Sequence, residues 1–207
     1  VDEYPRVELI FIRLEKIIDK NFIKLFENLK VIILPATGYS HVDVKYLEKS
    51  NIRFICLQGH TDFLNTITPT SEIAIWHILS TTRNALAASS TKLNNEITLW
   101  NRDNYVGQDL NEKKIGIIGF GRLGKMITKI LKAMSAEVSF YDINKDISPL
   151  GNQRLCLNDL LSQSDVISIH IPLNKNTYNF ISSRELNIMK KEAVIINTSR
   201  GGIINEI

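Results

Sequence analysis

The sequence predicts an α/β fold in which short parallel strands alternate with helices, and three observations indicate this class. Short apolar runs rich in β-branched side chains alternate with segments whose apolar residues recur at helical spacing. One of these runs leads through a glycine-rich turn, at residues 119–124, directly into an amphipathic helix. The composition is that of an ordinary globular protein, with 44% hydrophobic and 23% charged residues. Strands and helices that alternate in this way form parallel sheets with right-handed crossovers.

Three strands and three helices are predicted from the sequence of the N-terminal part. The strands are expected at residues 7–12, 31–34 and 52–57, and a short helix is expected at 42–49. Asp19 is expected to cap a further helix, which carries Phe22, Ile23, Leu25, Phe26 and Leu29. A polar loop is expected at 58–69, followed by a long amphipathic helix from about 71 to 93. Pro69 disfavours helix in the residue before it, so the boundary between two domains is expected near Thr68. The predicted domains are therefore 1–68 and 69–207.

The C-terminal part continues the alternation. A strand is predicted to run from Lys114 into the glycine-rich turn, further strands are predicted at 137–141, 166–171 and 193–197, and a helix is predicted to begin near Asn158. Ser182-x-x-Glu185 is typical of a capping box, before a helix that ends near Lys190. The helix after the glycine-rich turn has one apolar face, formed by Leu123, Met126, Ile127, Ile130, Leu131 and Met134.

The glycines of Gly119-x-Gly121-x-x-Gly124 lie where the pyrophosphate of a dinucleotide would bind. Gly119 permits a tight turn, Gly121 lets the backbone approach the phosphates, and Gly124 lets the helix pack closely on the strand. This spacing alone is a weak signal, and the strand before it and the helix after it make it stronger. The alternative interpretation is a plain βαβ turn that binds no ligand.

Asp142 ends the strand that follows, 18 residues after Gly124. This is close to the roughly 20 residues that separate the glycines from the ribose-binding acid of dinucleotide folds. Asp142 is therefore expected to accept hydrogen bonds from the adenosine ribose and to repel a 2′-phosphate, which favours NAD over NADP. Lys145 lies nearby and weakens that discrimination. The alternative is an aspartate that is simply solvated at a strand end.

Charge and composition exclude several classes of function. The net charge of +3 is too small to favour nucleic acid, and no apolar run is long enough to span a bilayer. Cys56 and Cys156 lie in apolar segments and are interpreted as buried free thiols, which fits a reducing cytoplasm. The His, Cys and acidic residues show no metal-ligand spacing, so no metal site is expected.

Four ordered motifs make the chain resemble the D-isomer-specific 2-hydroxyacid dehydrogenases, most closely the phosphoglycerate dehydrogenase branch. The motifs are residues 119–124, Tyr141-Asp142, residues 164–173 and residues 196–202. The resemblance implies a Rossmann-type doubly wound parallel sheet that binds NAD, and a partial flavodoxin-like α/β substrate domain. It also implies hydride transfer between NAD(H) and a D-2-hydroxy acid or 2-oxo acid. A second possibility is the non-catalytic, NAD-sensing corepressor type of the same family.

Arg200 is the candidate catalytic residue. It follows a strand end, on the side of an open α/β sheet where ligands bind. A 2-oxo acid needs a planar cation that binds its carboxylate and polarises its carbonyl, and the guanidinium fork meets this need better than an ammonium. The family's substrate-binding arginine falls at this position. The alternative is a structural arginine that caps a helix or pairs with Glu206.

The resemblance implies roles for further residues. Backbone groups of Thr198, Ser199 and Arg200 would contact the nicotinamide end of the cofactor. The remaining cofactor contacts implied are Arg122 and Leu123 at the pyrophosphate and His170 and Pro172 beside the adenosine. Thr37 and Gly38 match the segment whose N–H groups hold the substrate carboxylate, although an ordinary turn would also explain them. His170 is as well explained by a structural role as by a cofactor contact.

The resemblance also places a general-acid histidine and its glutamate partner well after the arginine motif. Neither is found in the seven residues that follow Arg200. We therefore expect a fragment that lacks both ends of a longer enzyme and is nearly inert by itself. A homodimer through the nucleotide-binding domain is expected, with Trp100 as a dimer contact or, equally, a packed aromatic residue.

Overall fold

The computed structural model describes residues 4–92, 106–147, 149 and 152–207. Within them the chain divides into two compact units, Val1–Ile67 and Thr68–Ile207. Trp100 lies outside the described residues, so its proposed dimer contact stays a prediction. No helix of the described residues is long and apolar enough to cross a membrane.

The first unit is built on three parallel strands. These are β1 (Leu9–Phe11), β2 (Val31–Leu34) and β3 (Arg53–Cys56), which pair in the order β1-β2-β3. Its helices are α1 (Lys20–Ile23), α2 (Val44–Lys49) and α3 (Thr61–Leu64). Three neighbouring strands in chain order match the 3-4-5 part of a flavodoxin-like 2-1-3-4-5 sheet.

Helix starts in the first unit follow the sequence. Asp19 caps α1 by accepting a hydrogen bond from the Phe22 N–H at 2.9 Å, as predicted, but α1 ends at Ile23 and does not extend to Leu29. Asp43 caps α2 in the same way, with 3.1 Å to the Tyr46 N–H. A carboxylate at these positions satisfies an N–H group that the helix itself leaves unbonded.

The second unit is built on five parallel strands. They are β4 (Lys114–Ile118), β5 (Glu137–Tyr141), β6 (Gln153–Arg154), β7 (Val166–Ile169) and β8 (Val194–Asn197). The strand order is β6-β5-β4-β7-β8, which is the 3-2-1-4-5 order of a Rossmann-type sheet. The order reverses between β4 and β7, and ligands bind beyond the carboxyl ends of the strands at such a reversal.

Both faces of this sheet are covered. The helices are α4 (Pro69–Thr82), α5 (Ala85–Lys92), α6 (Arg122–Ala133), α7 (Leu157–Gln163) and α8 (Ser183–Ile188). Ile115 and Ile117 of β4 belong to a buried cluster that includes Ile127 and Leu131 of α6. Their neighbour Ile118 belongs to a second cluster, which includes residues of α7. The predicted doubly wound α/β fold is confirmed.

Several details of the prediction were wrong. The helix expected from 71 to 93 is broken at Asn84, whose φ of +51° no α-helix tolerates. The polar loop at 58–69 contains α3, and the short strand β6 was not predicted. Cys156 is exposed rather than buried, because it serves as the N-cap of α7.

The capping box predicted at the start of α8 is present. The Ser182 N–H donates to Glu185 Oε2 at 3.0 Å, and this bond together with the one from Ser182 Oγ lowers the pKa of Glu185. The first turn of α8 is therefore fixed by its own sequence.

Candidate functional site

The glycine-rich loop connects β4 to α6 and begins with a residue that must be glycine. Gly119 has a φ of +94°, and its N–H donates to Tyr141 O at 2.8 Å. A Cβ atom at this position would lie 2.7 Å from His170 O. A side chain is therefore excluded here both by the positive φ and by the backbone of His170, which directly follows β7.

The other two glycines have opposite surroundings. A Cβ atom on Gly124 would lie 2.2 Å from Gly119 O, so the first turn of α6 packs against the end of β4 only because Gly124 has no side chain. A Cβ atom on Gly121 would meet nothing within 4 Å. Gly124 thus serves packing, and Gly121 leaves open space above the loop, as the roles assigned to them require.

The N-terminus of α6 is suited to an anion. Its N-cap is Gly121, which has no side chain to cap the helix, and the first intrahelical hydrogen bond runs from the Lys125 N–H to Gly121 O at 3.0 Å. The N–H groups of the first turn precede that bond and add to the positive end of the helix dipole. Such an end binds phosphate groups without any side chain.

Asp142 lies beside this loop, directly after β5. Its Oδ2 accepts a hydrogen bond from the Phe120 N–H at 2.7 Å, and its Oδ1 accepts one from the Asn144 N–H at 2.8 Å. The carboxylate is half-buried and forms no ion pair among the described residues. It is thus bonded to the loop rather than merely solvated, and each oxygen retains a lone pair for a further donor.

His170 follows β7, and its backbone borders Gly119. One ring nitrogen, Nε2, lies 2.8 Å from Ser168 Oγ, and the other, Nδ1, is buried with no partner among the described residues. Burial lowers the pKa of His170 to about 4. The ring is therefore neutral near pH 7 and poorly suited to donate a proton.

The loop that carries Arg200 follows β8 and is held by Asn197. Asn197 Oδ1 accepts from the Ser199 N–H at 3.0 Å, and its Nδ2 donates to Arg200 O at 2.8 Å. Ser199 Oγ donates to Ile169 O, at the end of β7, at 3.0 Å. These bonds fix the backbone of residues 197–200 against the neighbouring strand.

The side chain of Arg200 is half-buried, and its Nη1 donates to Ser199 O at 2.8 Å. No ion pair among the described residues includes Arg200, so the pairing with Glu206 considered from the sequence does not form. Beside it, Thr198 Oγ1 is buried without a hydrogen-bond partner among the described residues. A cation that bonds, within the described part of the chain, only to a backbone carbonyl and lies next to an unsatisfied hydroxyl is able to receive a polar ligand.

The structure brings most of the predicted residues together at the carboxyl end of one sheet. The glycine-rich loop, Asp142, His170 and the Arg200 loop follow β4, β5, β7 and β8 in turn. Pro172 is exposed just beyond β7, and its carbonyl accepts from Thr177 Oγ1 at 2.6 Å. Thr37 and Gly38 belong to the first unit, where they follow β2. No group of three or more potential metal ligands occurs among the described residues.

Two contributions to the site were missed by the sequence interpretation. The amide side chain of Asn197 holds the backbone of the Arg200 loop. Asparagine often accepts a hydrogen bond from the backbone two residues further on, so its position directly before the loop could have predicted this contact. The bond from the Phe120 N–H to Asp142 had no signal, since it joins residues 22 positions apart. A dinucleotide fits these residues: open space above Gly121, an uncapped helix end, and a carboxylate at the expected strand end.

Two family descriptions match the chain. "D-isomer specific 2-hydroxyacid dehydrogenase, NAD binding domain" matches residues 75–207, and the catalytic domain of that family matches residues 1–95. A glyoxylate reductase from Thermococcus litoralis is 30% identical over 196 residues, which cover 91% of this chain and 57% of the relative. A D-3-phosphoglycerate dehydrogenase from Archaeoglobus fulgidus is 30% identical over 209 residues, which cover 100% of this chain and 38% of the relative.

A solved structure gives the same picture. D-lactate dehydrogenase from Aquifex aeolicus, complexed with NAD and lactic acid, superposes with a TM-score of 0.83 at 25% identity. The match covers 99% of this chain and 60% of that one. The chain thus spans between 38% and 57% of the two curated relatives and 60% of this solved chain.

Proposed function

We propose that the chain, which belongs to the D-isomer specific 2-hydroxyacid dehydrogenase family, is part of an NAD-linked oxidoreductase and that its second unit binds the cofactor. The protein would interconvert a D-2-hydroxy acid and its 2-oxo acid. The observation that carries the proposal is the arrangement at one edge of the five-stranded sheet. The glycine-rich loop follows β4 there, the carboxylate of Asp142 follows the adjacent strand β5, and Arg200 follows β8, which β7 separates from β4.

NAD would bind with its pyrophosphate at the N-terminus of α6 and its adenosine ribose at Asp142. Backbone groups of Arg122 and Leu123 belong to the first turn of α6 and would contact the phosphates. When bound, the nicotinamide supplies or accepts the hydride. The negative charge of Asp142 would oppose a 2′-phosphate, which favours NAD over NADP.

Arg200 would bind the carboxylate of the organic acid and polarise its carbonyl. Among the described residues its guanidinium is held only by Ser199 O, so the side chain gives up one hydrogen bond when it turns to a ligand. Thr198 and Ser199 would border the nicotinamide, and Thr37 and Gly38 would add backbone donors for the carboxylate. His170 is not assigned as proton donor, because burial keeps its imidazole neutral.

The proposal includes a homodimer through the second unit and a cytoplasmic location. Exposed apolar side chains on α4 support the dimer: Ile73 and Trp76, three residues apart, are 45% and 47% exposed. Light scattering of the purified chain and of Trp76→Glu would test the dimer. A dimer of the unsubstituted chain that is weakened in the variant would place the interface on α4.

Arg200 is tested by acid binding rather than by turnover. Calorimetry would measure NADH affinity and then the affinity of the NADH complex for oxamate, a non-reacting analogue of a 2-oxo acid. Arg200→Gln is expected to leave NADH affinity unchanged and to weaken oxamate about tenfold or more, because a charge-assisted bidentate contact is lost. Arg200→Lys should fall between the two.

Arg184→Gln is the matched control, since that side chain is 79% exposed and lies on α8. It should change neither affinity. Equal oxamate binding by the unsubstituted chain and Arg200→Gln would remove Arg200 from the site.

A further inference from the structure

The carboxylate of Asp142 is already engaged without any ligand. One oxygen bonds to the N–H of Phe120, the residue between the first two glycines of the loop, and the other bonds to the N–H of Asn144. The predicted ribose contact therefore adds to bonds that the protein makes with itself.

The Phe120 end of this contact is fixed from the other side as well. The Phe120 ring is fully buried and stacks on Phe140 of β5, with centroids 3.9 Å apart and planes 17° from parallel. The buried ring and the bonded N–H together fix the position of Phe120. Only Gly121 then lies between Phe120 and the first residue of α6. Since Gly121 has no side chain contacts, its backbone depends on what holds its neighbours.

The segment after Asp142 is held by a cation. The guanidinium of Arg154 donates from Nη2 to Asn144 O at 3.1 Å and to Ile147 O at 3.0 Å, and lies 5.2 Å from the centroid of the Phe140 ring. The Phe140 ring thus contacts both Phe120, whose N–H bonds to Asp142, and Arg154, which holds the segment after Asp142. The carboxylate joins two segments that are each anchored to the same strand.

We propose that Asp142 is also a positioning residue for the pyrophosphate, which it affects through the Phe120 N–H and the conformation of the glycine-rich loop. The inference rests on the proposed NAD site and deepens it. With the bond to Phe120 present, the first turn of α6 is presented to the phosphates in one conformation. Without it, binding must first order Gly121, and this ordering weakens affinity for any ligand that carries a pyrophosphate.

The two roles separate when the ligand lacks the ribose contact. The probes are NADH and an NADH analogue whose adenosine ribose lacks the 2′- and 3′-hydroxyls, with dissociation constants measured for the 207-residue chain by calorimetry. Asp142→Ala should weaken the analogue about tenfold, the effect of losing one hydrogen bond to a charged group. Asp142→Asn keeps an oxygen for the Phe120 N–H, so it should bind the analogue within about threefold of the unsubstituted chain.

Asp146→Ala is the matched control, because Asp146 is an exposed carboxylate in the same segment. Circular dichroism would check that each variant folds. If Asp142→Ala binds the analogue as well as the unsubstituted chain does, the positioning role is overturned and the ribose contact stands. A chain that binds neither ligand overturns the NAD site itself, and with it this inference.

Discussion

The two sheets of the molecule differ in how they are covered. In the second unit, four of the five residues of β4 and all four of β7 are buried, and separate apolar clusters lie on the two faces. In the first unit, the described residues cover only one face of the sheet. The opposite face exposes Leu9 by 50%, Phe11 by 67% and Ile55 by 37%.

The difference follows from the alternation of side chains along a strand. Ile10, Ile12 and Ile32 point into the cluster formed with α1 and α2, and their neighbours on the same strands point the other way. Parallel sheets are normally covered on both faces. The strands of the second unit are therefore packed on both sides, whereas the described residues of the first unit leave apolar side chains of its sheet exposed.

The largest effect is expected from truncating a strand residue in each sheet. Ile167→Ala, at a fully buried position of β7, should lower the free energy of unfolding of the second unit by about 2–5 kcal/mol. Phe11→Ala should change that of the first unit by less than about 0.5 kcal/mol, because most of the ring is already exposed. Hydrogen exchange would report each unit separately, and equal costs would refute the comparison.

A smaller effect tests the burial of His170 in the second unit. Burial lowers its pKa from 6.5 to about 4, so the unfolded chain binds a proton more readily than the folded one. This contribution to the free energy of unfolding is constant above pH 6.5 and falls as the pH drops towards 4. The fall is at most about 3 kcal/mol.

Denaturant titrations at a series of pH values would measure it. His170→Asn should flatten the profile between pH 6.5 and 4. A profile with the same slope in the variant would mean that His170 is more solvated than the structure indicates.

The smallest expected effect separates packing from binding within the glycine-rich loop. Gly124→Ala should cost about 1–3 kcal/mol of stability and weaken NADH, because its Cβ atom would overlap Gly119 O. Gly121→Ala should leave stability within about 0.5 kcal/mol, since its φ of −75° suits alanine and its Cβ meets nothing. It should still weaken NADH by occupying the open space. Thermal unfolding and calorimetry on both variants would check this, and a stability loss in Gly121→Ala would contradict it.

The sequence anticipated the features that depend on backbone alone. The tight turn at Gly119, the close packing at Gly124 and the strand end at Asp142 follow from residue type and spacing, and β5 was predicted residue for residue. The prediction of one long helix was wrong because the helical pattern of the sequence continues through Asn84, whereas the backbone takes a positive φ at that residue. The strand β6 was missed because its two residues are too few to show an alternation of apolar and polar side chains.

Within the site, side-chain bonds between distant segments could not be predicted. Asp142 and Phe120 meet only because β4 and β5 pair in the register that sets Ile118 opposite Tyr141. Arg154 reaches Phe140 through the same kind of pairing, between β5 and β6. Such contacts depend on which strands become neighbours in the sheet, and this follows from the tertiary fold rather than from residues close together in the sequence.

The most direct test of the NAD site is a comparison of NADH and NADPH binding to the purified chain by calorimetry. Because a 2′-phosphate would face the carboxylate of Asp142, NADH should bind at least about tenfold more tightly. Equal affinities, a preference for NADPH, or no heat with either cofactor would contradict the account.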